Sequence, residues 1–269
     1  MALRLVTWNV NSVRARIDHA LRLIDALRPD ILCLQEIKVE DAAFPGRPFV
    51  DAGLPHIALA GQKGYHGVAV LSRLPLADTA RVDWGSKGEA RHVSTAVDGR
   101  LRLHNLYIPA GGDVPDAAEN PKFAEKLAYF DNAAAWFADG LKNDGALPAI
   151  LVGDLNVAPL PSDVWSHKQL LRVVSHTPVE VEKLEILQAA GGWCDVMRHV
   201  VPAPAPLFTW WSYRARDWRK AARGRRLDHV WVSPGLIPHI RHMAVFDEAR
   251  DWPRPSDHAP VVVDFDLDL

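Results

Sequence analysis

The sequence is poor in cysteine, with two residues among 269, Cys33 and Cys194. Cys33 lies in the apolar run Ile31-Leu32-Cys33-Leu34, a setting that favours a buried thiol over half of a disulfide. The sequence contains neither a cysteine ligand set nor a His-x-x-x-His spacing, so a structural zinc site is not expected. These features argue against a disulfide scaffold and favour a reducing, cytoplasmic compartment.

The sequence also lacks the segments that direct a chain to a membrane. No apolar run approaches the roughly 20 residues that cross a bilayer as a helix. The first eight residues show no charged region followed by a long apolar region and a cleavage site, so we expect no signal peptide. There is no internal repeat and no Ser- or Gly-rich linker. We therefore expect residues 1–269 to form a single domain, and a monomer, because every amphipathic stretch has a use within the chain.

A large net charge is also missing. The formal net charge is −2 and the isoelectric point about 6.6, which argues against a generally basic nucleic-acid-binding surface. The one dense basic segment, residues 214–226, holds seven basic residues and one acidic residue, a local net charge of +6. A charged run is commonly a solvated loop. The aromatic residues at 208–213 directly before it favour a nucleic-acid face, because such faces combine phosphate contacts with packing against bases or sugars.

The most informative stretch is Gly153-Asp154-Leu155-Asn156, which follows the apolar run at residues 149–152. Such a run, entered from Pro148 and left through glycine, predicts a short buried strand. Asp154 and Asn156 are two residues apart, so in an extended chain they would point the same way. A carboxylate beside an amide suits a hard cation and a phosphate oxygen, whereas a simple turn is the alternative meaning of these residue types.

The beginning of the chain repeats this pattern. Residues 3–8 predict a strand that ends at Asn9 and Asn11, and Ser12 is a candidate cap for a helix that ends at residues 28–30. Residues 31–35 predict a second buried strand, with Glu36 at its end. We expect a strand–helix–strand unit, and ligand sites of α/β sheets collect at such strand ends.

The remaining chain continues the alternation of strands and helices. Further strands are predicted at residues 65–72, 92–97, 101–107, 208–213, 226–232 and 261–265, helices at residues 119–140 and 179–190, and a loop at residues 44–64. Lys63, between two glycines, is a candidate phosphate contact. Tyr107 ends one strand, Asp228 begins another, and Asp257-His258 precedes the last.

The candidate site residues share one chemistry, since they are carboxylates, amides, a phenol and one imidazole: Asn9, Asn11, Glu36, Tyr107, Asp154, Asn156, Asp228, Asp257 and His258. Oxygen ligands favour Mg²⁺, with Mn²⁺ as an alternative. The sequence has no Gly-x-Ser-x-Gly elbow and no phosphate loop. A divalent cation, an acid–base pair and a basic, aromatic rim are what hydrolysis of a phosphodiester requires.

Seven motifs also carry a family resemblance. They are Trp8-Asn9-Val10-Asn11-Ser12-Val13-Arg14-Ala15-Arg16, Leu34-Gln35-Glu36-Ile37-Lys38, Gly61-Gln62-Lys63-Gly64-Tyr65-His66-Gly67-Val68-Ala69, Gly153-Asp154-Leu155-Asn156-Val157-Ala158-Pro159, Phe208-Thr209-Trp210-Trp211-Ser212-Tyr213-Arg214, Arg226-Leu227-Asp228 and Ser256-Asp257-His258-Ala259-Pro260. In content and order they resemble the exonuclease III class of apurinic/apyrimidinic endonucleases, within the endonuclease/exonuclease/phosphatase superfamily. The resemblance implies a four-layer α/β sandwich, in which two mixed β-sheets pack face to face with helices outside and a site at one edge.

The resemblance also implies roles for individual residues. Glu36 would be the principal Mg²⁺ ligand, with help from Asn11 and Asp257, and Asn9 would support the neighbouring carboxylates. Asp154 would orient or deprotonate the attacking water.

Three further residues would act on the phosphate, and a fourth, Asp228, would orient one of them. Asn156 would donate to a phosphate oxygen, and His258, oriented by Asp228, would contact the phosphate or act as the base. Tyr107 would bind the phosphate or protonate the leaving oxygen. A second metal ion, if bound, would use Asp154, Asn156 and His258.

The implied substrate is double-stranded DNA with abasic sites or blocked 3′ ends. Trp210 and Leu227 fall where the family packs the base-less sugar, and Arg214 falls where it enters the duplex. Three positions depart from the family pattern, and at two of them Ala110 replaces an amide that contacts the phosphate and His229 replaces a tyrosine. Asp113 stands where some relatives have a basic residue.

The resemblance implies cleavage 5′ to an abasic site, with 3′→5′ exonuclease and 3′-phosphodiesterase activity. The alternative is a phosphoesterase of the same fold that acts on a small or lipid phosphate, which would not need the basic, aromatic segment. A DNA-binding module without activity is disfavoured, because every polar position of the site is chemically competent.

Overall fold

The computed structural model of the chain describes residues 2–85, 87–143, 147–215 and 217–269. The strands are β1 (Ala2–Asn9), β2 (Ile31–Gln35), β3 (His56–Ala60), β4 (Val68–Ser72), β5 (Leu76–Ala80), β6 (His92–Val97), β7 (Leu101–Tyr107), β8 (Ala149–Asp154), β9 (Cys194–Asp195), β10 (Trp210–Trp211), β11 (Gly224–Arg225), β12 (Asp228–Val232), β13 (Ile240–Val245) and β14 (Val261–Asp266). The helices are α1 (Ile17–Leu27), α2 (Gly46–Asp51), α3 (Pro121–Asn143), α4 (His167–Leu170), α5 (Pro178–Ala190), α6 (Val196–Val200) and α7 (Trp218–Ala221), with 3₁₀ segments at Asp41–Ala43, Pro161–Asp163, Pro234–His239 and Asp247–Asp251. None of the described helices is long and apolar enough to cross a membrane.

The strands form two six-stranded sheets, with the orders β13-β14-β1-β2-β4-β3 and β5-β6-β7-β8-β12-β9. Both sheets are mixed, because β1 pairs in parallel with β2, and β7 with β8, while the other pairs within them are antiparallel. The parallel pair β1–β2, joined by α1, confirms the predicted strand–helix–strand unit. The short pair β10–β11 stands apart from both sheets.

Alternating apolar residues of the central strands place the two sheets face to face. Leu5 and Ile31 point into the core between the sheets, whereas their neighbours Val6 and Leu32 pack under α1. In the second sheet, Ile150 faces the shared core and Leu151 faces α3 and α5. Strands that are buried on both faces read as continuous apolar runs, which explains why the sequence revealed them. The predicted four-layer sandwich is therefore confirmed.

A buried polar link joins the two sheets just below their polar edge. The amide nitrogen of Gln35 donates to Thr7 Oγ1 at 2.9 Å and to Asn105 Oδ1 of the other sheet at 2.7 Å. Asn105 in turn donates to the carbonyls of Leu34 and Ala69. Gln35 directly precedes Glu36, and Asn105 lies two residues before Tyr107. The link thus fixes the relative height of two strand ends that carry candidate site residues.

Several local predictions are wrong, each for a physical reason. Ser12 does not cap α1, because it adopts a left-handed conformation (φ 85°) in a turn, and the helix begins at Ile17 after Arg16. The predicted loop at residues 44–64 contains α2 and β3. Gly140 does not end α3, which continues to Asn143. Of the aromatic strand predicted at residues 208–213, only Trp210–Trp211 is paired.

The strands that the sequence did not reveal lie at or near the sheet edges. In β5 all residues after Leu76 are exposed, and β13 carries the exposed pair Arg241-His242. Edge strands need not bury both faces, so they lack the continuous apolar run that marks the central strands.

Gly153 is the position where β8 most needs a glycine. Its φ is +142°, and a Cβ built there would lie 1.9 Å from the carbonyl oxygen of Leu106 on β7. The missing side chain lets β7 and β8 approach closely just before Asp154, so the glycine sets where this carboxylate emerges.

We expect Gly153→Ala to destabilise the protein by about 3 kcal/mol or more, because the backbone of β7 cannot yield as a side chain can. Gly99→Ala is the matched control. Gly99 also has a positive φ (+64°), but a methyl group added to it would meet no atom within 4 Å beyond its chain neighbours, so a loss of about 1 kcal/mol is expected. Urea unfolding of both variants measures the difference, and equal losses would show that the close approach is unimportant.

Candidate active site

Strand directions bring the polar residues to one edge of the sandwich. Asn9 is paired with Gln35 across the parallel pair β1–β2, and Glu36 directly follows Gln35. Tyr107 is paired with Asp154 across β7–β8, and Asp228, at the start of the antiparallel strand β12, is also paired with Asp154. Strand pairing therefore places four predicted site residues along one edge, and Glu36 lies one residue beyond a paired position.

Asn9 connects the two sheets at this edge. Its side-chain nitrogen donates to Glu36 Oε1 at 2.9 Å and to Asp154 Oδ2 at 2.8 Å. Asn9 is fully buried, and Glu36 and Asp154 come from different sheets. One amide thus holds two carboxylates close together that would otherwise repel each other. The supporting role of Asn9 stays a prediction, and these two hydrogen bonds are the contacts through which it would act.

A positive charge lies between the oxygens that the sequence assigned to Mg²⁺. The Lys38 ammonium is 2.6 Å from Asn11 Oδ1 and 2.8 Å from Glu36 Oε2. Asn11 also donates to Asp257 Oδ1 at 3.1 Å, which links the third predicted ligand to the same group. Lys38 and hydrogen bonds from Asn9 hold the pKa of Glu36 below its usual value, against the opposing effect of burial. The oxygens of Glu36, Asn11 and Asp257 therefore fit a hard cation. The Lys38 ammonium already lies next to the oxygens of Glu36 and Asn11.

His258 lies between two carboxylates. Its Nδ1 is 2.8 Å from Asp228 Oδ2, and its Nε2 is 3.6 Å from Asp154 Oδ2. Burial disfavours the imidazolium, but Asp228 and Asp154 outweigh burial and raise the pKa of His258 to about 10. Asp154, which burial affects most, has its pKa raised to about 7. Among the described residues, Asp154, Asp228 and His258 form a three-residue cluster with ligand atoms within 4.8 Å of one another, and Asp228 Oδ1 is buried there without a hydrogen-bond partner.

The backbone conformation that places Asn156 in the site differs from the one predicted from the sequence. Asn156 has a positive φ of 54°, so the extended geometry expected for Asp154 and Asn156 is wrong. Its backbone N–H donates to Asp154 Oδ1 at 3.0 Å, and its side-chain nitrogen donates to the carbonyl of Ile108 at 2.9 Å. The Lys126 ammonium donates to the Asn156 carbonyl at 2.8 Å and pairs with Glu180, both fully buried. The turn thus depends on a buried cation.

Tyr107 lines the same cleft and keeps its proton. Burial, followed by the charges of Glu36 and Asp154, raises the pKa of the phenol well above its usual value. The Arg91 guanidinium lies 5.0 Å from the ring centroid and donates to the Tyr107 carbonyl at 3.3 Å. The phenol therefore carries the proton that its predicted role as a phosphate ligand or proton donor requires.

A buried ionic network fixes the start of β12. Arg226 is fully buried and binds both oxygens of Asp163, with a further bond to Asp195 Oδ2 at 2.8 Å. His229 Nε2 lies 2.8 Å from the carbonyl of Val157, and its Nδ1 lies 3.1 Å from Arg226. Burial and Arg226 lower the pKa of His229 to about 4, so the ring is neutral. His229 is one of the positions that depart from the family pattern. Its neutral ring links Arg226 to the carbonyl of Val157, directly after Asp228 in sequence.

The site opens into a cleft of about 810 Å³. Its lining includes Trp210, Leu227 and Arg214 of the predicted DNA contacts, as well as Ala110 and Asp113. Lys63 is exposed but does not line the cleft, so its predicted contact has no counterpart there. Arg216, which was counted in the basic segment, lies outside the described residues.

Two residues of the site were not predicted. Lys38 follows Glu36 by two positions in the motif Leu34-Gln35-Glu36-Ile37-Lys38. An isolated lysine does not by itself indicate a functional site. Lys126 gives a usable signal, because it falls between Phe123 and Phe130 on the buried face of α3, where a lysine needs a partner.

Comparisons with known proteins give a consistent result. The family model described as "Endonuclease/Exonuclease/phosphatase family" matches residues 6–258. Exodeoxyribonuclease III of Haemophilus influenzae is 29% identical over 274 residues, covering 98% of this chain and 100% of that protein. Among solved structures, the 3′ phosphatase NExo from Neisseria, bound to a product DNA hairpin, superposes with a TM-score of 0.90 at 31% identity and covers 98% of this chain and 100% of its own. An AP endonuclease from Archaeoglobus fulgidus gives a TM-score of 0.90 at 29% identity, with coverage of 98% and 100%.

Replacing Asp228 by Asn should lower the pKa of His258 from about 10 towards its usual value, because the closer of its two carboxylates loses its charge. Proton-detected NMR of the labelled histidines, followed from pH ~6 to ~10, measures the shift, which we expect to be at least about one unit. Asp266→Asn, at an exposed ion pair with Arg241, is the control and should leave His258 unchanged.

The free energy of unfolding should also depend on the raised pKa of His258. A raised pKa contributes stability that is present below the unfolded value of 6.5 and is lost as the pH rises through about 10. The wild-type protein should therefore lose stability over this window, and Asp228→Asn should lose less. The same pH dependence in both proteins would contradict the ion pair.

Proposed function

The chain belongs to the endonuclease/exonuclease/phosphatase family and is a phosphodiester hydrolase, and from this premise we propose that it is a DNA repair nuclease. Its reaction would be cleavage of duplex DNA 5′ to an abasic site, together with removal of blocking groups from 3′ ends. The observation that carries the proposal is the cluster of Asp154, His258 and Asp228 beside Glu36, at the bottom of a cleft with a basic and aromatic wall. Its monomeric state and cytoplasmic location stay predictions of the sequence.

We assign the general base to Asp154. A base must be unprotonated, and His258 with a pKa of about 10 carries its proton at neutral pH. Asp154, with a pKa of about 7, is poised to take a proton from water near the operating pH. Asn9 and the Asn156 N–H each bind one oxygen of this carboxylate, so its orientation is fixed before substrate arrives.

Three donors face the phosphate in this scheme. The His258 imidazolium and the Asn156 amide stabilise charge on the non-bridging oxygens. Tyr107, whose phenol keeps its proton, donates to the leaving O3′. Water adds to the phosphorus, the P–O3′ bond breaks, and the strand is left with a 3′-hydroxyl.

Glu36, Asn11 and Asp257 would hold Mg²⁺, which would neutralise charge on the phosphate when bound. The place of the Lys38 ammonium, between Glu36 and Asn11, supports this ligand set. Lys38 would then move aside, since both cations need the same oxygens.

The direct test is cleavage of an end-labelled duplex that carries one tetrahydrofuran abasic analogue, with Mg²⁺ or with chelator. We expect one metal-dependent cut 5′ to the analogue and no comparable cut in an undamaged duplex. Asp154→Asn should lower the rate by about 10³-fold or more, as the loss of a base and of its hydrogen bonds implies. Asp266→Asn, an exposed change of the same kind, is the control.

Hydrolysis of a small phosphodiester with no cut in either duplex would move the substrate to a small or lipid phosphate. A fully active Asp154→Asn variant would remove Asp154 from the mechanism.

The pH dependence tests the choice of base. The specificity constant kcat/KM should rise as Asp154 ionises, with an apparent pKa near 7, and should fall again as His258 loses its proton near 10. Steady-state rates on the abasic duplex between pH ~5.5 and ~10 measure both limbs. A flat profile between pH ~6 and ~8.5 would contradict the assignment of Asp154.

A further inference from the structure

Arg225 lies in the wall of the cleft, one indole ring away from the proposed metal ligands. It is paired with Trp210 across β10–β11, and its guanidinium lies 5.2 Å from the Trp210 ring centroid. The edge of the same indole is tied to the site, because its Nε1 donates to Asp257 Oδ2 at 3.0 Å. Trp210 therefore contacts both the Arg225 guanidinium, through its ring face, and the proposed metal ligand Asp257, through its N–H.

The guanidinium is held in place by neutral groups. Its Nη1 donates to the Val174 carbonyl at 3.0 Å and to Ser175 Oγ at 2.8 Å, while Nε is buried without a partner. Within the described parts of the chain, no carboxylate lies within 4.0 Å of Arg225. The adjacent Arg226 shows the contrast, because Asp163 and Asp195 satisfy it completely.

The surroundings make this charge available to a ligand. Leu227, Val173 and Trp210 form an apolar wall beside it, and all of them line the cleft with Arg225. Nη2 makes no hydrogen bond to the described residues. A half-buried guanidinium with a free edge and an apolar surround binds an anionic oxygen more strongly than an exposed one does.

We propose that Arg225 forms an anion subsite that binds a second negatively charged group of the substrate, the one attached to the phosphate under attack. This inference rests on the proposed function. Two kinds of substrate carry such a group: a 3′-phosphoglycolate end carries a carboxylate, and an internal abasic site carries the next backbone phosphate. A plain 3′-phosphate end carries nothing beyond the phosphate that is hydrolysed.

The test compares these three substrates on one duplex sequence, with the wild-type enzyme and Arg225→Met in Mg²⁺. Arg225→Met should lower kcat/KM by about tenfold or more on the phosphoglycolate end, the internal tetrahydrofuran site, or both, which corresponds to one charge-assisted hydrogen bond. Removal of the 3′-phosphate should stay within about twofold of wild type. A loss on the first substrate alone identifies the carboxylate as the ligand, and a loss on the second alone identifies the neighbouring phosphate.

Two further variants separate the subsite from other effects. Arg225→Gln removes the charge but keeps a donor for the Val174 carbonyl or Ser175 Oγ. It should show the same substrate dependence as Arg225→Met. Agreement between the two variants would show that the effect does not come from misfolding of the Met variant. Arg219→Met removes one charge from the same basic segment, where Arg219 stacks on Trp218 and pairs with Asp251 outside the cleft lining. It should affect the three substrates equally and weakly.

Equal losses on all three substrates with both Arg225 variants, or no loss on any, would overturn the subsite while leaving the nuclease intact. A wild-type enzyme that hydrolyses none of the three DNA substrates would instead overturn the proposed function and the subsite with it.

Discussion

The site depends on one amide that holds two like charges together. Asn9 donates to Glu36 and to Asp154, which belong to different sheets, and it does so from a fully buried position. Without that donor the two carboxylates would repel each other across the junction of the sheets. The buried link from Gln35 to Asn105 lies directly beneath and sets the height of the same strand ends. The positions of the proposed metal ligand Glu36 and of the proposed base Asp154 therefore follow from how the two sheets are joined.

The site has two electrostatically different parts. In the first, Glu36, Asn11 and Asp257 form the proposed ligand set for a cation. In the second, His258 lies between the carboxylates of Asp228 and Asp154. Asn9 contacts both Glu36 and Asp154, and the two parts also act on each other by charge, since His258 is among the groups that lower the pKa of Glu36, and Glu36 is among those that raise the pKa of Asp154. In the proposed mechanism, a divalent ion and an imidazolium act on one phosphate from these two parts.

The central strands and the polar residues at their ends could be predicted from the sequence, because a strand that is buried on both faces is a continuous apolar run and the polar residue that follows it is easily recognised. Edge strands such as β5 could not, since their residues are largely exposed. The local geometry of Asn156 could not either, because its positive φ accompanies a hydrogen bond from Lys126, which is 30 residues away in sequence. The proposed role of Arg225 could not be predicted for a similar reason: within a run of basic residues, the sequence does not distinguish the arginine without a carboxylate partner from its neighbour Arg226, which pairs with Asp163 and Asp195.

The order of the first sheet has a consequence for how the protein is made. The strand β14 is not at the sheet edge but is inserted between β13 and β1, and the Asp257-His258 pair directly precedes it. During synthesis, Asn9, Glu36 and Asp154 all leave the ribosome long before their partner His258. A nascent chain therefore has Asn9, Glu36 and Asp154 before it has the imidazole of His258. The cluster of Asp154, Asp228 and His258 is complete only after the residues that lead into the inner strand β14 have been made.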